Sequence, residues 1–189
     1  MVDLNKLAQE IHEAAIAKGF WAVDEAMEKH IAKMHSELSE ALQEDRCGHP
    51  MLYVDDITVS EPVTDINAFD GRKPEGVAAE LADFVMMGLD FMCMIDCMND
   101  CTEAIMNNYM EMEGPNKEIG AMSLPFMIMM AHISLSEVVT SGDNPADVIG
   151  LLLSNVILWA KQNGIDLEHV IRLKMEYNKN RPPLHGRKY

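Results

Sequence analysis

Basic residues are scarce in this chain. Fifteen Lys and Arg stand against 31 Asp and Glu in 189 residues, a formal net charge of −16. A field of that sign repels a nucleic-acid backbone or an anionic membrane surface, which argues against a polyanionic partner. A small anionic substrate is compatible with it only if a divalent cation sits between substrate and protein. Long apolar runs are missing too: none approaches transmembrane length, and the opening "MVDLNKLAQEIHEAA" has neither the basic nor the apolar region of a secretory signal. The expectation is a soluble cytoplasmic protein with no membrane partner. Cysteines number four, and Cys93, Cys97 and Cys101 recur every four residues. That spacing predicts one side of a helix and reduced core thiols rather than a disulfide framework.

Strand-like alternation is nearly absent, whereas apolar residues recur at helical spacing almost throughout, so the expected fold is all-α. A single domain is expected over 1–189, with an acidic half at 1–113 and a second half plus basic tail at 120–189. Leu4, Leu7 and Ile11 mark a first helix ending near Gly19. Met27, Ile31, Met34, Leu38 and Ala41 mark a second, running to about Glu44. Residues 45–73 form a long connection with one short strand at "MLYVDDITV". Pro74 is placed in the first turn of the next helix, which is apolar on nearly all sides and gives way to a polar helical stretch ending near Glu113. After "GPNKEIG", helices are expected at 124–140, 146–163 and 167–180.

The two halves echo one another. "HSELSEAL" at 35–42 shares His, Leu, Ser and Glu in register with "HISLSEVV" at 132–139, and a looser match sets Glu80 on Leu152 and Asp83 on Asn155. The second copy keeps Glu137 and lacks the other acids, which predicts a degenerate duplication whose second half is core or interface.

Glu37, Glu40 and Glu44 fall in one narrow arc beside the apolar stripe of the second helix. A run of this kind is ordinarily a solvated face. Glu80 and Asp83 differ, because they interrupt the apolar stretch Ala78–Val85, where a carboxylate has to be compensated. Two facing carboxylate pairs raise one another's pKa, and a hard divalent cation such as Mg²⁺, Mn²⁺ or Ca²⁺ resolves the conflict. His35 is read as a core or helix-surface residue, since an oxygen-ligand site does not need imidazole. Near the C-terminus Lys174 and Asn178 project from one helix side, and Arg181 follows with a planar fork suited to phosphate oxygens. Lys179, Arg187 and Lys188 complete a basic cluster whose alternative reading is a plain basic tail.

"ELSE" at 37–40 followed by "ELAD" at 80–83 resembles the E-x-x-E…E-x-x-D signature of the MazG-like all-α nucleoside triphosphate pyrophosphohydrolases, the superfamily of dimeric dUTPases and phosphoribosyl-ATP pyrophosphohydrolase. "GRKPEGVAAELAD" and "KMEYNKNRPPLHGRKY" look like further stretches of the same group. The resemblance implies a MazG-like helical bundle in which Glu37, Glu40, Glu80 and Asp83 bind Mg²⁺, with Mn²⁺ as a substitute, and the metal engages a nucleoside triphosphate. It implies release of pyrophosphate and a nucleoside monophosphate. Glu40 and Glu44 are the candidates for orienting the attacking water. The similar tails point to Lys174 and Asn178 as substrate ligands, with Arg181 and Tyr177 beside them; the other reading of Tyr177 is core. The expected protein is a homodimer or homotetramer. Alternatives are a dUTPase, a purine-specific dNTP hydrolase, or a nucleotide-binding scaffold without turnover.

Overall fold

The computed structural model describes residues 3–21, 27–54, 71–112 and 122–186, with the backbone alone for 109–112. Among the described residues it is all-helical apart from one two-residue ladder: α1 (Leu4–Ala17), α2 (Met27–Arg46), β1 (Tyr53–Val54), β2 (Pro74–Glu75), α3 (Val77–Met94), α4 (Met98–Met112), α5 (Leu124–Thr140), α6 (Pro145–Gln162), α7 (Leu167–Lys179), and a closing 3₁₀ turn at Pro183–Gly186. No single described helix is long and apolar enough to cross a membrane. Most of "MLYVDDITV", as well as Arg187 and Lys188, lies outside the described residues.

Side-chain caps set several of the starts. Asp3 accepts from Lys6 N at 3.1 Å, Asn144 from Ala146 N at 3.1 Å with Pro145 in the first turn, and Asp166 from His169 N at 3.1 Å. Each satisfies a donor that the first helical turn leaves unpaired.

α3 is the central element. It packs against α1, α2, α4, α6 and α7, which is why its sequence is apolar on nearly every side. Phe84, Leu89, Phe91 and Met92 are fully enclosed there with Met34 and Leu38 of α2 and Leu153 of α6. Where α4 meets α6, Gly150 lets the backbones approach: a Cβ there would lie 2.6 Å from Ala104 Cβ and 2.9 Å from Cys101 O.

The start of α3 differs from the expectation. Pro74 is not in a helical turn but in β2, paired with Val54, while Glu75 pairs with Tyr53. The helix begins three residues later, after Gly76 at φ 101°, where a Cβ would stand 2.7 Å from the carbonyl oxygens of both Pro50 and Met51. Glycine alone permits that approach, and Ala78 N completes it by donating to Met51 O at 2.9 Å. The three cysteines also do not share one helix. α3 stops at Met94, Asp96 takes a left-handed φ of 56°, and α4 begins at Met98. Cys101 is buried, Cys93 and Cys97 are half-buried, and all are free. Burial pushes the Cys101 thiol up to about 12, so it stays protonated and unreactive.

The echoed helices occupy related positions, for α2 packs on α3, α5 packs on α6, and α2 and α5 pack on each other. His35 and His132, equivalent in the sequence alignment, meet at that last contact, with parallel rings (8°) and Nδ1 atoms 2.7 Å apart. One ring donates and the other accepts. Both pKa values are lowered by burial, and that of His132 also by its neighbour, which keeps the pair neutral.

Candidate metal and nucleotide site

α2 and α3 run side by side and turn their acidic positions toward each other. Glu37 lies one residue from the buried Leu38, and Glu80 occupies the first turn of α3, on a helix fixed at its start by the Gly76 contact. One carboxylate oxygen from each of Glu37, Glu40 and Glu80 falls within 4.8 Å of the others. Among the described residues this is the one group of three or more acidic, His or Cys ligands close enough to share an ion.

The electrostatics follow from that crowding. Burial is the main cause that raises Glu37 to about 8, with Asp83, Glu40 and Glu80 adding repulsion and Lys174 partly opposing it. Glu80, 5% exposed, is raised to about 7, again chiefly by burial, against the pull of Lys174. The cluster is short of positive charge.

Asp83 is not a fourth member of the triad. Lys174 of α7 extends into the bundle, where it is only 3% exposed, and its Nζ sits 2.6 Å from Asp83 Oδ2. Burial works against the ammonium, but Asp83, Glu80 and Glu75 outweigh it and raise its pKa overall. Lys174 is therefore a resident cation beside the acids rather than an ammonium on the surface.

These residues line a cavity of about 580 Å³ bounded by α1, α2, α3, α7 and the closing turn, within the usual range for a small-molecule site. Glu37, Glu40, Glu80, Asp83, Lys174, Asn178 and Arg181 all face it; Glu44 and Tyr177 do not. Glu44 instead accepts from Tyr53 Oη at 3.0 Å and from His49 Nδ1 at 2.9 Å. Tyr177 lies under Arg181, whose guanidinium carbon is 5.7 Å from the ring centre. Arg181 donates to Asn178 Oδ1 at 3.3 Å and to His185 O at 3.4 Å. Lys18 ties the tail to α1 by donating to the carbonyls of Lys179 and Arg181 at 2.8 and 2.6 Å. Six of the chain's 15 basic residues (Lys18, Lys33, Lys73, Lys174, Lys179 and Arg181) border this one cavity.

Sequence reasoning missed the cavity's other end. There Asp90, seven residues after Asp83 on α3, accepts from His12 Nδ1 at 2.6 Å and from Trp21 Nε1 at 3.0 and 3.1 Å. Burial raises the Asp90 pKa, and the bonds from His12 and Trp21 pull it back. Trp21 stacks on His30 (5.4 Å, 22°), which stacks on Phe91 and donates from Nε2 to Met87 O at 2.8 Å. One signal was present in the sequence: Asp90 is a further carboxylate in an apolar helix, two turns from Asp83 and so on the same side.

Comparison with family models, curated proteins and solved structures found no match. The site is therefore interpreted from its own chemistry.

Proposed function

We propose that this protein is a Mg²⁺-dependent nucleoside triphosphate pyrophosphohydrolase of the MazG-like type, which releases pyrophosphate and a nucleoside monophosphate. The observation that carries the reading is the convergence of Glu37, Glu40 and Glu80 within 4.8 Å in a cavity that also holds Lys174, Asn178 and Arg181. The donor set fits the metal. Three carboxylates are hard oxygen ligands, and the raised pKa values of Glu37 and Glu80 mark a site that gains by taking up positive charge. Glu37, Glu40 and Glu80 would hold the ion, with Asp83 available if Lys174 releases it. A bound Mg²⁺ supplies charge neutralisation for phosphate oxygens and a more acidic water.

The chain's own residues supply the rest. Asn178 and Arg181, adjacent on the cavity wall, are suited to orient phosphate oxygens by hydrogen bonding. Glu40, the most exposed of the three glutamates, is the candidate for accepting a proton from the attacking water. The aromatic end, with Trp21 and His30 stacked beside the Asp90 carboxylate, suits a nucleobase, which presents a flat face and polar edge atoms. The related packing of α2 on α3 and of α5 on α6, and the meeting of His35 with His132, support a degenerate duplication that completes the bundle.

The test is pyrophosphate release from the full panel of ribo- and deoxynucleoside triphosphates, with and without Mg²⁺. Metal-dependent release from at least one nucleotide is expected. Nucleotide binding with no release from any of them would refute hydrolysis and leave the scaffold reading.

A further inference from the structure

The tail that carries Arg181 does not hold its shape by itself. After α7 ends at Lys179 the chain turns back through Pro183–Gly186, where Leu184 and His185 take left-handed φ values of 50° and 52°. Residues other than glycine rarely adopt that conformation, so contacts from outside the segment have to keep it there. They come from the end of α1. Lys18 O accepts from Leu184 N at 2.9 Å, and the Phe20 and His185 rings meet edge to face with centroids 5.0 Å apart. The Lys18 ammonium completes the clasp by donating to Lys179 O at 2.8 Å and to Arg181 O at 2.6 Å. Those carbonyls lie at and just past the end of α7, where intrahelical donors run out.

Other lysines on the cavity wall are engaged differently. Lys73, Lys174 and Lys179 are paired with carboxylates, those of Glu75, Asp83 and Glu176. Lys18 commits two of its three N–H donors to the backbone of the tail. An ammonium held in this way cannot swing to a phosphate without releasing the backbone of Arg181.

We infer that Lys18 is a positioning residue for the triphosphate end of the cavity, acting through Arg181 rather than touching the substrate. The inference rests on the nucleotide reading above. Arg181 donates to Asn178 Oδ1 and to His185 O, so its guanidinium is oriented by the same turn that Lys18 fastens. A planar fork discriminates by geometry and tolerates misplacement poorly. Loss of the clasp should therefore weaken triphosphate binding about tenfold.

Calorimetric titration of the full chain with α,β-imido deoxynucleoside triphosphates in Mg²⁺ tests the assignment. For the tightest analogue, Lys18→Met should show the tenfold loss, and Lys18→Arg, which keeps long N–H donors, should recover most of it. Lys6→Met, at an exposed position of the same helix, should bind as wild type does. The Mg²⁺-induced melting shift should be equal in all four proteins. Should Lys18→Met not fold, Lys18→Gln, one bond too short to reach the carbonyls, takes its place. A double-variant cycle gives the deciding result. In an Arg181→Ala background, Lys18→Met should cost less than about twofold, because the residue it acts through is gone. An undiminished loss there would mean that Lys18 meets the phosphates itself, and would overturn the inference. So would a Lys18→Met protein that binds as tightly as wild type. Where Arg181→Ala leaves too little binding to measure, amide exchange decides. The Leu184 and His185 amides should exchange faster in Lys18→Met while α3 stays protected, and unchanged rates refute the clasp. A wild-type chain that binds no analogue sinks the nucleotide reading, and this inference with it; wild-type binding that the Lys18 variants leave intact sinks the inference alone.

Discussion

The acid cluster makes Glu37→Gln an informative substitution, because it should stabilise the metal-free protein while disabling the site. Each pKa unit is worth about 1.4 kcal/mol. The rise of Glu37 from 4.5 to about 8 therefore corresponds to roughly 5 kcal/mol held against the folded state once the side chain is ionised. The direction is fixed by linkage. A carboxyl whose folded pKa lies above its unfolded value contributes stability that is complete below about pH 4.5 and is lost as pH rises through about 8. Glutamine removes that loss. Allowing for solvent contact at a half-buried side chain, the recovery should be about 2–4 kcal/mol near pH 9. For a chain of this length that is a rise of roughly 5–12 °C in melting temperature. Near pH 5 native Glu37 is already protonated, and the difference should nearly vanish. The assay is a pair of melts after EDTA treatment at the two pH values, repeated with Mg²⁺. Wild type should gain about 2.7 kcal/mol at a hundredfold excess over the dissociation constant, and the variant should gain little. An unchanged melting temperature near pH 9, or a retained Mg²⁺ shift, would refute the reasoning.

Mg²⁺ binding between pH 6 and 7 should release protons from Glu37 and Glu80, whose values stand near 8 and 7, so apparent affinity should climb up to pH 8; calorimetry in buffers of different ionisation enthalpy measures this. Lys174→Met strips Asp83 of its partner and should destabilise the metal-free protein by about 3–5 kcal/mol in urea titrations. Asp90→Asn should weaken nucleotide binding, read as a higher Michaelis constant, yet leave the Mg²⁺-induced melting shift intact. Gly150→Ala should cost about 1–3 kcal/mol and exceed Gly88→Ala, because the added methyl meets the Cys101 carbonyl in one case and the movable Leu153 side chain in the other.

Much of the helical framework was legible in the sequence. The limits of α5 match the expectation, and those of α6 and α7 lie within a residue of it, because Asn144 with Pro145 and Asp166 are local start signals that tertiary contacts do not override. Pro74 misled because a proline suits a first helical turn and an edge strand alike, and only the distant Pro50–Met51 carbonyls decide between them. The break at Asp96 has no Gly or Pro to announce it. In the site, Glu37, Glu40 and Glu80 were legible from spacing combined with apolar surroundings. The Asp83–Lys174 pairing joins α3 to α7, and the Asp90–Trp21 bond joins α3 to the turn that follows α1; neither belongs to a single periodic segment, so periodicity could not show them.

The small ladder between β1 and β2 has a consequence for chain length. By pairing Tyr53 with Glu75 and Val54 with Pro74, it fastens together the two ends of the long connection from α2 to α3. The entropy of closing a loop grows only logarithmically, about 0.6 kcal/mol for each doubling. Residues added or removed beyond that clasp would therefore change the loop without moving its anchors, and Glu37 and Glu80 would keep their relative placement whatever length of chain separates them.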